Sequence, residues 1–168
     1  MTRRKQILVV GFGKDHCTDA AYDAAYRVGV EVAKLGAILI TGGLGGVMEA
    51  ASRGANHEGG FVIGIIPQDD MGISNTYCDA VIATGIGFAR DFVTANSADA
   101  VIVVGGGAGT LIEISAAYQR KTPIVAVKGT GGMADRFIDE YIDDRKTQRI
   151  LGEDSPETAV RSAVSMIQ

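Results

Sequence analysis

The sequence predicts an α/β domain in which helices cover both faces of a doubly wound parallel sheet. Six apolar runs of four to six residues alternate with longer segments of helical period along the 168-residue chain. The runs are rich in β-branched residues and almost continuous, which is typical of strands buried on both faces. No Pro- or Ser-rich linker interrupts this alternation, so we expect one Rossmann-like domain over residues 1–168.

The apolar runs place the strands, and the segments between them place the helices. We expect strands at 7–10, 37–40, 61–66, 80–83, 100–104 and 123–127, and helices near 18–35, 46–57, 87–97 and 110–120. A last helix is predicted to begin at Ser155, because Ser is a favoured N-cap and Pro156 suits the first turn.

Composition limits the kinds of binding partner and the cellular compartment that we expect for this protein. The net charge of −4 argues against a broad nucleic-acid surface. Cys17 and Cys78 lie outside any metal-ligand spacing and suit a reducing compartment. No apolar run reaches the length of a signal-peptide core or a membrane span. We therefore expect a cytoplasmic protein with no membrane partner and no metal held by its own side chains.

Glycine-rich turns follow three of the predicted strands. Backbone N–H groups at the start of the next helix bind anions, and a glycine without a Cβ lets the anion approach. Because carboxyl ends of parallel strands share one edge, these turns predict a site for a phosphate-bearing ligand there. Close strand–helix packing alone would also use glycine. The turn residues are Gly11 and Gly13, then Gly42, Gly43, Gly45 and Gly46, and finally Gly105, Gly106, Gly107 and Gly109.

The sequence excludes two common kinds of nucleotide-binding site, the ATP-binding P-loop and the NAD site. No GxxxxGK[ST] sequence occurs, which excludes an ATP-binding P-loop. The first turn lacks the third glycine of a dinucleotide fingerprint, and the second strand ends without an acidic residue for a ribose hydroxyl. We therefore expect no NAD site.

Two of the turns share a pattern that ends in glutamate. Residues 42–49 and 106–113 both fit GGxGxxxE and place Glu49 and Glu113 one turn inside a helix. The run from Thr110 to Glu113 matches a capping box, in which the glutamate only closes the helix end. Alternatively, Glu113 accepts sugar hydroxyls or stabilises positive charge at a glycosidic carbon. The same two interpretations apply to Glu49.

Arg90 opens a predicted helix after a strand, where a guanidinium would clamp a phosphate through two hydrogen bonds. The alternative is a surface arginine paired with Asp91 or Asp99. His16 and His57 are isolated, and we expect them in a loop and on a helix surface, respectively.

These motifs resemble the LOG superfamily over nearly the whole chain. The similarity lies in residues 42–49, in Gly64-Ile65-Ile66-Pro67 and in residues 106–113. The superfamily includes the Lonely Guy phosphoribohydrolases, the molybdenum cofactor carrier proteins and a smaller branch related to the DNA-processing protein DprA. The resemblance implies that Arg90 and Glu113 would be the catalytic pair of a hydrolase. Gly105 stands where the hydrolases have proline, and Asp91 stands where they have lysine.

The resemblance implies two candidate functions. The first is a carrier that holds the molybdenum cofactor, a pterin with a terminal phosphate, on the glycine-rich turns. The alternative is an enzyme that cleaves the N-glycosidic bond of a nucleoside 5′-monophosphate. A DNA-linked module is disfavoured because the sequence has no basic stripe. Both candidates imply a homo-oligomer, either a dimer or a tetramer.

Overall fold

The computed structural model describes residues 3–167. These residues form a single parallel sheet of seven strands. In chain order the strands are β1 (Gln6–Gly11), β2 (Ile38–Thr41), β3 (Phe61–Ile66), β4 (Ala80–Ala83), β5 (Ala100–Val104), β6 (Ile124–Val127) and β7 (Leu151–Glu153). Across the sheet they run in the order β4-β3-β2-β1-β5-β6-β7. The predicted doubly wound α/β fold is therefore confirmed.

Six α-helices connect the strands within this part of the chain. They are α1 (Asp19–Lys34), α2 (Val47–His57), α3 (Arg90–Asn96), α4 (Ala108–Gln119), α5 (Gly132–Arg136) and α6 (Pro156–Ser165). Short 3-10 turns precede two of them, at Lys14–His16 and Gly87–Ala89. Ser155 caps α6 by accepting from Thr158 N, as the sequence predicted.

Two elements, α5 and β7, were not predicted. Both are short, with five and three residues, and neither contains a long apolar run. The sheet supplies the missing stabilisation, because β7 pairs with the buried strand β6 through Leu151 and Val125. A correction of two residues applies to α4, which begins at Ala108 instead of Thr110.

Side chains alternate across the sheet and build a core on each face. Ile7 and Val9 pack with α1, α2 and α6 on one face, while Leu8 and Val10 pack with α3, α4 and α5 on the other. All five residues of β5 are buried. This double burial explains why the central strands read as continuous apolar runs. The expectation of double burial is wrong for β4, an edge strand that is only partly buried.

The chain changes direction across the sheet at β1. This strand lies between β2 and β5, which carry the chain to opposite sides. In open α/β sheets, a crevice opens at this switch point beyond the carboxyl ends of the strands. In the range 3–167, none of the helices has the length and apolar character needed to span a bilayer.

Candidate functional site

A cavity of about 460 Å³ lies at the switch point. It is bounded by the turn after β1, the end of β2, the start of α3 and the first turn of α4. The site therefore combines segments far apart in sequence, which the parallel strands bring to one edge. The principal lining residues are Gly11, Phe12, Gly13, His16, Gly42, Met48, Phe88, Arg90, Asp91, Gly107, Gly109, Thr110 and Glu113.

Some of the predicted glycines are required by packing within the protein and not by a ligand. A Cβ at Gly42 would lie 2.5 Å from Nη1 of Arg90, so this glycine makes room for the guanidinium. Gly46 has a φ of 72°, which other residues rarely adopt, and a Cβ there would meet the carbonyl of Phe12. Close packing thus accounts for these two positions without any ligand.

Gly13 and Gly107 differ from those glycines. Neither has a positive φ, and a Cβ at either position would meet no described atom within 4 Å. Both nevertheless line the cavity. Their absent side chains therefore keep the cavity open instead of relieving a clash within the protein.

The first turn of α4 presents unused hydrogen-bond donors to the cavity. Within residues 3–167, the backbone N–H groups of Ala108, Gly109 and Thr110 have no partner, and the N-cap Gly107 offers no side chain. The helix dipole adds partial positive charge at this end. By contrast, the first N–H of α2, from Val47, already donates to Phe12 O at 2.9 Å. The two GGxGxxxE turns are therefore not equivalent.

Arg90 is buried beneath the cavity, with only 8% of the residue exposed. Its Nη1 lies 3.3 Å from Oδ1 of Asp91, and no described residue accepts a hydrogen bond from its Nε. Asp99 pairs with Arg3 instead. The interpretation of Arg90 as a surface arginine is therefore wrong, although its pairing with Asp91 is observed.

Glu113 is also buried, on the side of α4 that faces the cavity. It does not close a capping box, because α4 has already begun at Ala108. Its Oε1 accepts from the Thr94 hydroxyl at 3.0 Å, and Thr110 donates instead to Gly11 O at 3.1 Å. Burial, and secondarily the charge of Asp91, raise the pKa of Glu113 to about 8. Glu113 is therefore mostly protonated at neutral pH.

Asp91 faces the same cavity as its neighbours and is 5% exposed. Burial raises the pKa of this carboxyl, and the charge of Arg90 partly opposes that rise. The site thus holds one cation and two carboxyl groups that burial disfavours in their charged forms.

The remaining predicted residues lie around this centre. Glu49 is half-buried on α2 and does not line the cavity. Gly43, Gly45, Gly46, Gly105 and Gly106 belong to the surrounding turns and do not line it either.

Several lining side chains were not predicted from the sequence, namely Val9, Val10, Phe12, His16, Met48 and Phe88. His57, in contrast, lies at the exposed end of α2 as expected, where Tyr26 contacts its Nδ1 at 3.3 Å. The position of Phe12 and His16 directly after β1 was the available signal for those two residues.

The amino-acid sequence is similar to one family model and to two proteins from other organisms. The model of the SLOG cluster4 family matches residues 4–160. An uncharacterised protein of Archaeoglobus fulgidus is 44% identical over 123 residues, which cover 73% of this chain and 80% of that protein. The cytokinin riboside 5′-monophosphate phosphoribohydrolase LOG5 of Arabidopsis thaliana is 30% identical over 143 residues. That match covers 79% of this chain but only 61% of LOG5.

Two solved structures share nearly the complete chain. The molybdenum cofactor binding protein of Rippkaea orientalis superposes with a TM-score of 0.84 at 31% identity, over 100% of both chains. The molybdenum cofactor carrier protein of Chlamydomonas reinhardtii superposes with a TM-score of 0.84 at 32% identity. That superposition covers 97% of this chain and 98% of the carrier.

Proposed function

Because the chain belongs to the SLOG cluster4 family, we propose that it binds a phosphate-bearing small molecule in the cavity at the switch point. We further propose the molybdenum cofactor as the carried ligand. The observation that carries the proposal is Arg90, a buried cation beside the cavity whose Nε has no hydrogen-bond acceptor among the described residues.

A bound phosphate would supply the partners that this site lacks. A buried donor without an acceptor costs about 1–3 kcal/mol, and more when the group is charged. Arg90 and the free N–H groups of Gly109 and Thr110 on α4 belong to residues that line one cavity, and all are donors. Phosphate oxygens accept hydrogen bonds and carry the opposite charge. An anion at this position would therefore balance the charge of the arginine and accept from the helix end together.

The size of the cavity and the similarity to carriers support a pterin ligand. About 460 Å³ is within the ordinary range of roughly 300–1,000 Å³ for small-molecule sites. Phe12, Met48 and Phe88 give the cavity apolar surface against which a flat heterocycle packs. Carriers of the molybdenum cofactor match this chain over almost its complete length.

The alternative function is hydrolysis of a nucleoside 5′-monophosphate. Arg90 and Glu113 line one cavity, and the similarity to LOG5 supports this function. An oxocarbenium-like ribose is stabilised by a charged carboxylate, however, and a pKa of about 8 leaves Glu113 mostly neutral at pH 7. The charge of Asp91 is one cause of that shift. These two residues favour binding over turnover.

Cofactor loading tests the carrier function. The purified protein is incubated with molybdenum cofactor released from a molybdoenzyme, and the complex is recovered by gel filtration. We expect pterin, measured by fluorescence after oxidation, and molybdenum to elute together with the protein. Gly107→Val should abolish this co-elution, because a side chain there would enter the cavity. An Ala20→Val control places the same side chain at an exposed position of α1, outside the cavity lining. Co-elution from Gly107→Val equal to that of the wild type would contradict the proposed site.

A turnover assay separates the two functions. The protein is mixed with AMP, and free adenine and ribose 5-phosphate are measured by chromatography. We expect little or no release from the wild type. Asp91→Lys should lower the pKa of Glu113, because it replaces an anion with a cation. Glu113 would then be charged at neutral pH, so turnover would emerge in this variant. Robust wild-type turnover that is lost in Glu113→Ala would instead establish the phosphoribohydrolase.

We also propose that the protein is a homo-oligomer that covers the outer side of α3 and α4. Phe92 is 53% exposed there, and it forms a shallow apolar groove with Leu111 and Ile112. Helix α4 is apolar around most of its circumference, which is typical of helices buried on every side. The groove lies next to the cavity, because α4 lines both. A second copy of the chain is the proposed occupant.

A further inference from the structure

We propose that Asp91 makes the anion site selective for a phosphate monoester that still carries one proton, and sets the site against anions without a proton, such as sulfate. This inference rests on the proposed phosphate site, and it assigns Asp91 as a specificity-determining residue. It also gives a physical reason for an acidic side chain beside an anion site.

Asp91 lies beside the donors that would hold the anion. A Cβ placed on Gly109 would be 3.5 Å from Oδ2 of Asp91, so this oxygen is next to the first turn of α4. Oδ1 of the same carboxyl is 3.3 Å from Nη1 of Arg90. The carboxyl therefore lies between the two groups that attract an anion, and an anion bound to both would contact it.

The oxygens of Asp91 are free to accept a hydrogen bond from a ligand. In the described part of the chain, the contact with Arg90 is an ion pair without an aligned hydrogen bond, and no residue donates to either oxygen. The residue is nevertheless buried. Neither oxygen is among the fully enclosed side-chain atoms without a partner in the described residues, so both are open to solvent. A ligand in the cavity that donates a hydrogen bond to this charged acceptor therefore gains affinity from Asp91.

Only a protonated phosphate supplies that donor. The second ionisation of a phosphate monoester has a pKa near 6, so its P–OH group is common at mildly acidic pH and falls to about 1% at pH 8. Sulfate has a similar shape but no proton to donate. The charged form of Asp91, which the neighbouring Arg90 favours against the effect of burial, accepts a hydrogen bond from the P–OH group of the phosphate and repels sulfate.

The charged and titratable groups around Asp91 are compatible with this selection. Arg90 on α3 stays cationic at all relevant pH values. Glu113 on α4, with a pKa of about 8, is mostly neutral between pH 5.5 and 7. His16 lies on the opposite wall, in the 3-10 turn after β1, and is exposed. A His16→Gln background removes this imidazole from the measurement.

Isothermal titration calorimetry with ribose 5-phosphate and with sulfate, at pH 5.5 and pH 7, tests the inference, because Glu113 stays mostly neutral over this interval. For the wild type we expect sulfate not to bind, and the affinity for ribose 5-phosphate to fall by at least about fivefold between the two pH values. In Asp91→Asn the fall should shrink to less than about threefold, and sulfate should bind, because the amide donates as well as accepts. Asp99→Asn, at the opposite edge of the sheet, is the matched control and should behave as the wild type.

The outcomes separate this inference from the proposed function. Sulfate binding to the wild type as tightly as ribose 5-phosphate, or an unchanged pH dependence in Asp91→Asn, would overturn the selection by Asp91 while leaving the phosphate site intact. Absence of binding by both anions to the wild type at both pH values would overturn the phosphate site and the selection together. Thermal unfolding of each variant establishes that the fold is retained.

Discussion

The buried carboxyl of Glu113 should make the stability of the protein depend on pH. Burial and the charge of Asp91 raise its pKa from 4.5 to about 8. Between these values the folded state keeps a proton that the unfolded state has released, so stability falls as pH rises. Each pKa unit corresponds to 1.36 kcal/mol, which gives a cost of roughly 3 kcal/mol at pH 7 and roughly 4 kcal/mol at pH 8, approaching roughly 5 kcal/mol at higher pH. The cost is absent near pH 4.5 and below.

Glu113→Gln keeps the shape of the neutral acid and removes its titration. We expect the variant and the wild type to have similar free energies of unfolding at pH 5. The variant should be more stable by about 3 kcal/mol at pH 7. Urea denaturation at half-unit steps from pH 5 to pH 8.5 measures the difference. The amide can still accept the hydrogen bond from Thr94 that Oε1 accepts in the wild type.

The matched control is Glu157→Gln. Glu157 pairs with Arg27 at 2.8 Å, and this hydrogen bond lowers the pKa of the carboxyl. The charged Glu157 stabilises the folded state fully at any pH above the pKa that this carboxyl has in the unfolded chain. This stabilisation is lost only as pH falls through the lower pKa that the carboxyl has in the folded state. The control should therefore be less stable than the wild type by a constant amount from about pH 5.5 to 8.5. A stability difference for Glu113→Gln that is equally independent of pH would refute the reasoning.

Two further predictions concern the glycine-rich turns and the apolar face of α3 and α4. Gly46→Val should lower the melting temperature markedly in thermal unfolding, because it combines a φ of 72° with a clash against Phe12. Gly107→Val should leave the melting temperature within a few degrees of the wild type, and equal melting temperatures for the two variants would contradict this division of the glycines. Phe92→Asp should convert the homo-oligomer to a monomer in light scattering at micromolar concentration, because it places a charge in the proposed interface. A wild-type protein that is already monomeric would rule out this interface.

Local pattern determined much of what was predicted correctly. Strand and helix periods depend on neighbouring residues, so the six apolar runs and the capped start at Ser155 could be recognised without tertiary information. The short elements α5 and β7 escaped prediction because no local pattern records what stabilises them: β7 pairs with β6, and α5 buries Ala134 against the sheet.

The candidate site divides in the same way. The glycine turns, Arg90 and Glu113 follow strand ends, and the topology of a parallel sheet brings such ends to one edge. The sequence alone therefore determined which turns belong to that edge and which side chains were candidates.

The tertiary structure alone decided what each candidate does there. The turns at 42–49 and 106–113 have the same pattern. The carbonyl of Phe12 accepts a hydrogen bond from the first N–H of α2, however, whereas the N–H groups in the first turn of α4 have no acceptor among the described residues. The capping box from Thr110 to Glu113 was a sound local interpretation, yet Thr94 from another helix holds Glu113 instead. Burial, which depends on everything packed around a residue, raises the pKa values of Asp91 and Glu113. Hydrogen-bond partners and desolvation are properties of the assembled fold, and for that reason spacing along the chain could not specify them.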